Sequence, residues 1–186
     1  MNTNIIEEMV ARRAFRDLEK RSVPPETVER ILKAGMLAPS CFNNQPWRFL
    51  VLTEEPALEK GFSVLTRGNA WARESSFLIA AVTRDDLDCE LSDDRHYALF
   101  DTGLAVQNLI LQAQREGMVG HPMAGYDPAA LKSLFSIPAD YRVIALIAFG
   151  YLKPGFSPDQ APPRERKPLS ETAFFNAWPE EQAARD

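Results

Sequence analysis

Five arginines stand in two tight groups near opposite ends of the chain. Arg12, Arg13 and Arg16 close a short amphipathic stretch, and Arg164 and Arg166 lie one residue apart with Lys167 beside them. Guanidinium groups suit phosphate because their planar fork donates two parallel hydrogen bonds to an oxyanion. Cations concentrated at both ends of an otherwise acidic chain are one way to build an anion site. The same spacing also fits solvated charges at a helix end, where the helix dipole favours cations. Spacing by itself leaves both readings open.

A second stretch is Ala38-Pro39-Ser40-Cys41-Phe42-Asn43-Asn44-Gln45-Pro46-Trp47. Ordering it costs conformational entropy and returns little apolar burial. The Ser40 hydroxyl and the Asn43 amide can both donate and accept hydrogen bonds. The stretch fits either a plain helix terminus leading into a strand or a loop completed by a ligand.

The elements that must position these groups follow from periodicity. Asn4 and Glu7 resemble a capping box, opening a first helix with Ile5, Ile6, Met9 and Val10 on one face, which ends near Arg12–Arg16. Pro25 starts a second helix through Val28, Ile31, Leu32 and Met36. Trp47 to Thr53 alternates like a strand, residues 55–65 are weakly helical, and Phe77 to Thr83 is a continuous apolar run expected as a buried strand. Residues 84–95 are acidic and read as a solvated loop. They lack the glycine and terminal glutamate of a calcium loop. Tyr97 to Glu116 is the longest helical pattern, ended by Gly117 and Gly120. Asp127-Pro128 caps another helix, and Tyr141 to Gly150 is the strongest strand signal. The order points to an α+β sandwich, with helices around one small sheet. A proline-rich tail from about 151 to 186 carries Phe174, Phe175 and Trp178, which fit burial against a partner subunit.

The chain has 186 residues, 45% apolar and 25% charged, with a net charge of −5. These are single-domain globular values. The charge argues against nucleic acid or a membrane surface as partner, and no run is long enough to span a bilayer. The N-terminus shows no leader pattern, so the expected compartment is the cytoplasm. Cys41 and Cys89 are far apart without metal-ligand spacing, so neither a disulfide framework nor a metal site is expected. Cys41 reads as a small packing residue, and His96 and His121 as surface or hydrogen-bonding residues. No Gly-x-Gly-x-x-Gly phrase marks a dinucleotide-binding domain.

Taken together, Arg12-Arg13-x-x-Arg16 followed by Pro39-Ser40-x-x-Asn43-x-Gln45-Pro46-Trp47 resembles the start of the FMN-dependent nitroreductase family. Gly68-Asn69-Ala70-Trp71, Asp101-x-Gly103-x-Ala105-x-Gln107-Asn108-Leu109, Gly120-x-Pro122-Met123-x-Gly125 and Gly150-Tyr151 with Arg164-x-Arg166 continue the likeness in order, from about residue 5 to 170. The resemblance implies a single nitroreductase-like domain over 1–170, a small central antiparallel-type sheet among helices, and an interlocked homodimer wrapped by the tail. It implies FMN at the subunit interface. Arg12, Arg13, Arg164 and Arg166 would stand at the phosphate and ribityl chain, and Arg16 at the pyrimidine edge. Asn69 would meet the ribityl chain or pyrimidine edge, and backbone at Ala124 and Gly125 would face flavin N5. Pro39, Ser40 and Asn43 would come from the other subunit. The flavin would carry the chemistry, with no catalytic side chain, passing hydride from NADH or NADPH to a nitroaromatic, quinone or similar small acceptor.

Several positions depart from the family pattern. Ala14 stands where many members have a phosphate-holding serine, Cys41 where a small polar residue is common, and Ala124 where some have an acid. The 84–96 stretch is short where longer relatives carry a lid. Phe42 fits a substrate-pocket residue or a dimer-core aromatic. Within the same fold, a dehalogenase, a flavin-fragmenting enzyme or a dehydrogenase is an alternative. A non-catalytic flavin-binding protein is another.

Overall fold

The computed structural model describes residues 4–179. The chain falls into two compact units, one up to Phe156 and one from Ser157 on. Among the described residues the first holds every α-helix and β-strand: α1 Glu7–Ala11, β1 Leu18–Glu19, α2 Pro25–Met36, β2 Arg48–Leu52, α3 Ala57–Ser63, β3 Phe77–Thr83, α4 Ala98–Arg115, β4 Val119–Met123, α5 Pro128–Phe135 and β5 Arg142–Leu152.

β5 is the hub of the sheet and pairs antiparallel with β1, β3 and β4, while β2 pairs antiparallel with β3. The β3–β5 ladder runs from Phe77 opposite Phe149 to Thr83 opposite Arg142, with one irregularity at Ala81/Val82. Strand periodicity sends alternate side chains to opposite faces. Leu78, Ala80 and Val82 pack with Leu58, Phe62 and Leu131 from α3 and α5. Phe77, Ile79 and Ala81 pack with Val28, Ile31, Leu109 and Ile110 from α2 and α4. Two cores thus sandwich one sheet, and each fully buried large side chain contributes about 2 kcal/mol over its exposed state. Gly35 lets α2 approach α4, since a Cβ there would lie 2.5 Å from a Leu109 methyl.

The expected α+β sandwich is present. α1 differs from expectation: it begins after Ile6, with no side-chain cap from Asn4. The Asp127 cap is made, its carboxylate accepting from the Ala129 and Ala130 N–H groups. β1 and β4 were not anticipated from periodicity. The tail's Phe174 and Trp178 rings meet edge to face, 4.9 Å apart, within the second unit.

Candidate functional site

After α1 the chain runs without helix from Arg12 to Asp17. Its exit is fixed by Leu18, which is fully buried, and by the Leu18 N–H donating to the Arg16 carbonyl at 2.9 Å. The Arg13 guanidinium lies over the Phe15 ring at 5.3 Å, and Phe15 packs edgewise on Phe156 at 5.0 Å. Arg16 is exposed and has no carboxylate partner among the described residues; its guanidinium sits 5.8 Å from the Trp71 ring centre. An exposed guanidinium backed by an aromatic face is available to an anion.

Beside this segment stands β4. His121 Nδ1 lies 3.0 Å from the Phe15 carbonyl, and the His121 ring lies 4.4 Å from that of Trp71. Burial pushes the His121 pKa down from 6.5, the Phe15 hydrogen bond opposes this, and the Arg16 and Arg12 cations push it further down. The ring is therefore mainly neutral at pH 7. A carbonyl only accepts, so Nδ1 carries the proton.

Trp71 continues the chain of contacts. Its indole N–H donates to Asn69 Oδ1 at 3.3 Å, and the Asn69 amide donates to the Gly125 carbonyl at 2.9 Å. That carbonyl also accepts from the Thr66 N–H at 3.1 Å and the Thr66 hydroxyl at 2.9 Å. A Cβ on residue 125 would lie 2.7 Å from both Asn69 Nδ2 and Thr66 Oγ1, so glycine is what permits the clamp. Asn69, expected to face a ligand, thus also fixes the Ala124–Gly125 turn, with Ala124 itself exposed.

The 38–47 loop is anchored elsewhere. The Cys41 N–H donates to Asp101 Oδ2 at 2.7 Å, and Cys41 is disulfide-bonded to Cys89, 48 residues away, with Cα atoms 6.0 Å apart. This corrects the expectation that the two cysteines stand apart and that Cys41 merely packs. The acidic loop folds back through α4, a pairing that linear spacing does not display. Cys41, Asp88 and Cys89 are the one group of three metal-ligating side chains among the described residues, and both sulfurs are taken up by their own bond.

Asp88 Oδ1 accepts from the Cys89 N–H at 2.9 Å and the Asn44 amide at 3.3 Å. Asp101 is almost wholly buried. Burial raises its pKa, the Cys41 N–H opposes this, and hydrogen bonding and repulsion from Asp88 raise it again. Burial and the neighbouring Asp88 thus both favour the neutral form of the Asp101 carboxyl. Within the loop, Phe42, Asn43 and Gln45 have φ of 47°, 60° and 51°. The left-handed region is uncommon for non-glycine residues and is an outlier for a bulky one. Ser40 Oγ accepts from the Gln45 N–H at 3.0 Å, while Phe42 is 91% exposed.

Arg13, Arg16, Asn69, Ala124 and Gly125 are therefore gathered through Phe15, His121 and Trp71. Pro39, Ser40, Phe42 and Asn43 form a second region, held to α4 and the acidic loop. Arg164 and Arg166 lie in the unit beginning at Ser157, where Arg166 Nη1 donates to the Glu165 carbonyl at 2.8 Å. Sequence reasoning gave no role to Thr66 or Cys89, and read His121 only as a surface or hydrogen-bonding residue, whose bond to the Phe15 carbonyl is present. His121 carried a signal, since it shares a strand face with buried Met123 yet is polar.

Three comparisons bear on the arrangement. The profile of the nitroreductase family matches residues 9–90 and 63–151. A protein of Archaeoglobus fulgidus, provisionally named NADH dehydrogenase/NAD(P)H nitroreductase, is 32% identical over 149 residues, spanning 76% of this chain and 82% of its own. A 5,6-dimethylbenzimidazole synthase of Rhodospirillum rubrum is 26% identical over 184 residues, spanning 86% of this chain and 82% of its own. A crystal structure of an oxidoreductase containing FMN superposes with a TM-score of 0.84 at 26% identity, covering 96% of this chain and 95% of the other. No helix among the described residues is long and apolar enough to cross a membrane.

Proposed function

The chain belongs to the nitroreductase family of flavin oxidoreductases, and from that premise we propose that it binds FMN and passes hydride from NADH or NADPH to a nitroaromatic, quinone or similar small acceptor. The observation that carries the reading is the convergence of Arg13, Arg16, Asn69 and the Ala124–Gly125 turn through one chain of contacts. The donor set fits the group: guanidinium cations for a phosphate, and a glycine turn whose carbonyl is already clamped by Thr66 and Asn69.

In this reading Arg12 and Arg13 hold the phosphate, joined by Arg164 and Arg166. Arg16 places a fixed cation beside the pyrimidine edge, where negative charge develops on reduction. Asn69 and Thr66 hold the Gly125 turn so that backbone N–H can face N5. FMN supplies the two-electron chemistry, accepting hydride and returning it. No side chain is assigned as general acid. Pro39, Ser40 and Asn43 reach the same cofactor from a second copy, with Phe42 at the pocket. Ile5, Ile6, Leu37, Phe42 and Phe100 are exposed apolar side chains, of the kind a homodimer interface covers.

Reconstitution with FMN tests it. The expected outcome is a yellow dimer that NADH or NADPH bleaches anaerobically and a nitroaromatic or quinone recolours. Arg166→Ala should weaken FMN about tenfold or more while leaving the dimer intact. Colourless, fully folded protein would end the reading, and a bound flavin that stays oxidised would favour a binding role. A specialised flavoenzyme of the same fold is the second reading, favoured by the likeness to the dimethylbenzimidazole synthase. Turnover across a substrate panel separates the two.

A further inference from the structure

We propose that His121 is a positioning residue: its Nδ1–H pins the Phe15 carbonyl and its ring braces Trp71, and it thereby sets where the Arg16 cation stands. The inference rests on the flavin reading above and names what aligns that site's charge. β4 places His121 opposite Ala148 of β5 and on the same face as Met123, whose side chain enters the core. An apolar residue would satisfy that place if filling space were its whole task. Instead the imidazole spends its proton on the backbone of the residue preceding Arg16, at 3.0 Å.

The same ring contacts Trp71 at 4.4 Å, and Trp71 in turn faces the Arg16 guanidinium. Trp71 also leads through Asn69 to the Gly125 carbonyl. One side chain therefore ties the segment carrying the cations to the turn expected beside N5. Both edges of an isoalloxazine would be set by the same brace. The charges facing the ring are the cations of Arg12 and Arg16, so a neutral imidazole is the form that fits between them.

Three variants test this because their geometry differs. In His121→Asn an amide nitrogen occupies the place of Nδ1; in His121→Gln it falls one bond further, near Nε2; His121→Phe keeps the ring contact and loses the donor. FMN-reconstituted His121→Phe and His121→Gln should bind FMN about tenfold more weakly and show a more negative flavin midpoint potential, since Arg16 shifts away. His121→Asn should recover most of both. FMN affinity and midpoint that rank Phe or Gln at or above Asn, or that stay unchanged in all three, would overturn the inference. A readout without flavin stands beside these. In the apoprotein at pH 7, the imidazole nitrogen shifts should report a neutral ring protonated at Nδ1. A ring protonated at Nε2, or charged, overturns the inference whether or not FMN binds. Wild-type protein that fails to bind FMN while its imidazole is neutral and protonated at Nδ1 ends the flavin reading and leaves the brace standing.

Discussion

The Arg12–Arg16 segment and the 38–47 loop are both short and irregular, and both are expected to meet one ligand, yet they are anchored by different physics. The first is held by a relay of single contacts, from the Phe15 carbonyl to His121, Trp71, Asn69 and Gly125. The second is held by one covalent bond and one buried carboxyl, around three residues in the left-handed region. Local strain persists only where the surroundings over-determine it. The relay should therefore loosen by degrees as links are removed, whereas the loop should depend steeply on two features.

The largest effect tests the covalent anchor. Reducing the Cys41–Cys89 bond, or replacing Cys41 and Cys89 together by Ser, should lower unfolding free energy by about 3–4 kcal/mol for a loop of this length. Denaturant melts with and without a thiol reductant read it, and superimposable curves would make the two regions alike. The buried carboxyl comes next. Asp101→Ala strips the acceptor from the Cys41 N–H and should cost about 1–3 kcal/mol. Asp101→Asn keeps an acceptor, adds a donor toward Asp88, and should be near neutral.

The sign of the pH dependence sharpens the same point. The Asp101 pKa is raised in the folded state. Its contribution is therefore complete below the ordinary carboxylate range and is lost as pH rises through the raised value. Asp101→Asn should abolish that fall, and an unchanged slope would assign it to other groups. The smallest effect belongs to the relay: Asn69→Ala should cost about 1 kcal/mol, because Thr66 keeps two hydrogen bonds on the Gly125 carbonyl. A loss as large as that of Asp101→Ala would mean the relay is no more forgiving than the loop.

Much of the frame was legible in the sequence because its signals were local. β3 matches its apolar run residue for residue, and α2 begins at the proline that announced it. β1 escaped notice because two residues carry no period. β4 reads Val-Gly-His-Pro-Met, poor in strand formers, and owes its pairing to β5. The cation groups and the polar loop were visible as residue types. The Cys41–Cys89 bond, the hold of Asp101 on the Cys41 N–H and the brace at His121 depend on contacts across 48, 60 and 106 residues, and linear spacing holds no record of them.

The bond between Cys41 and Cys89 also encloses β2, α3 and β3 in a covalent circuit. A protease that nicks the backbone once, anywhere between those two positions, releases no fragment. The cut molecule keeps its full mass plus one water until its sulfurs are reduced, and only then separates into two peptides.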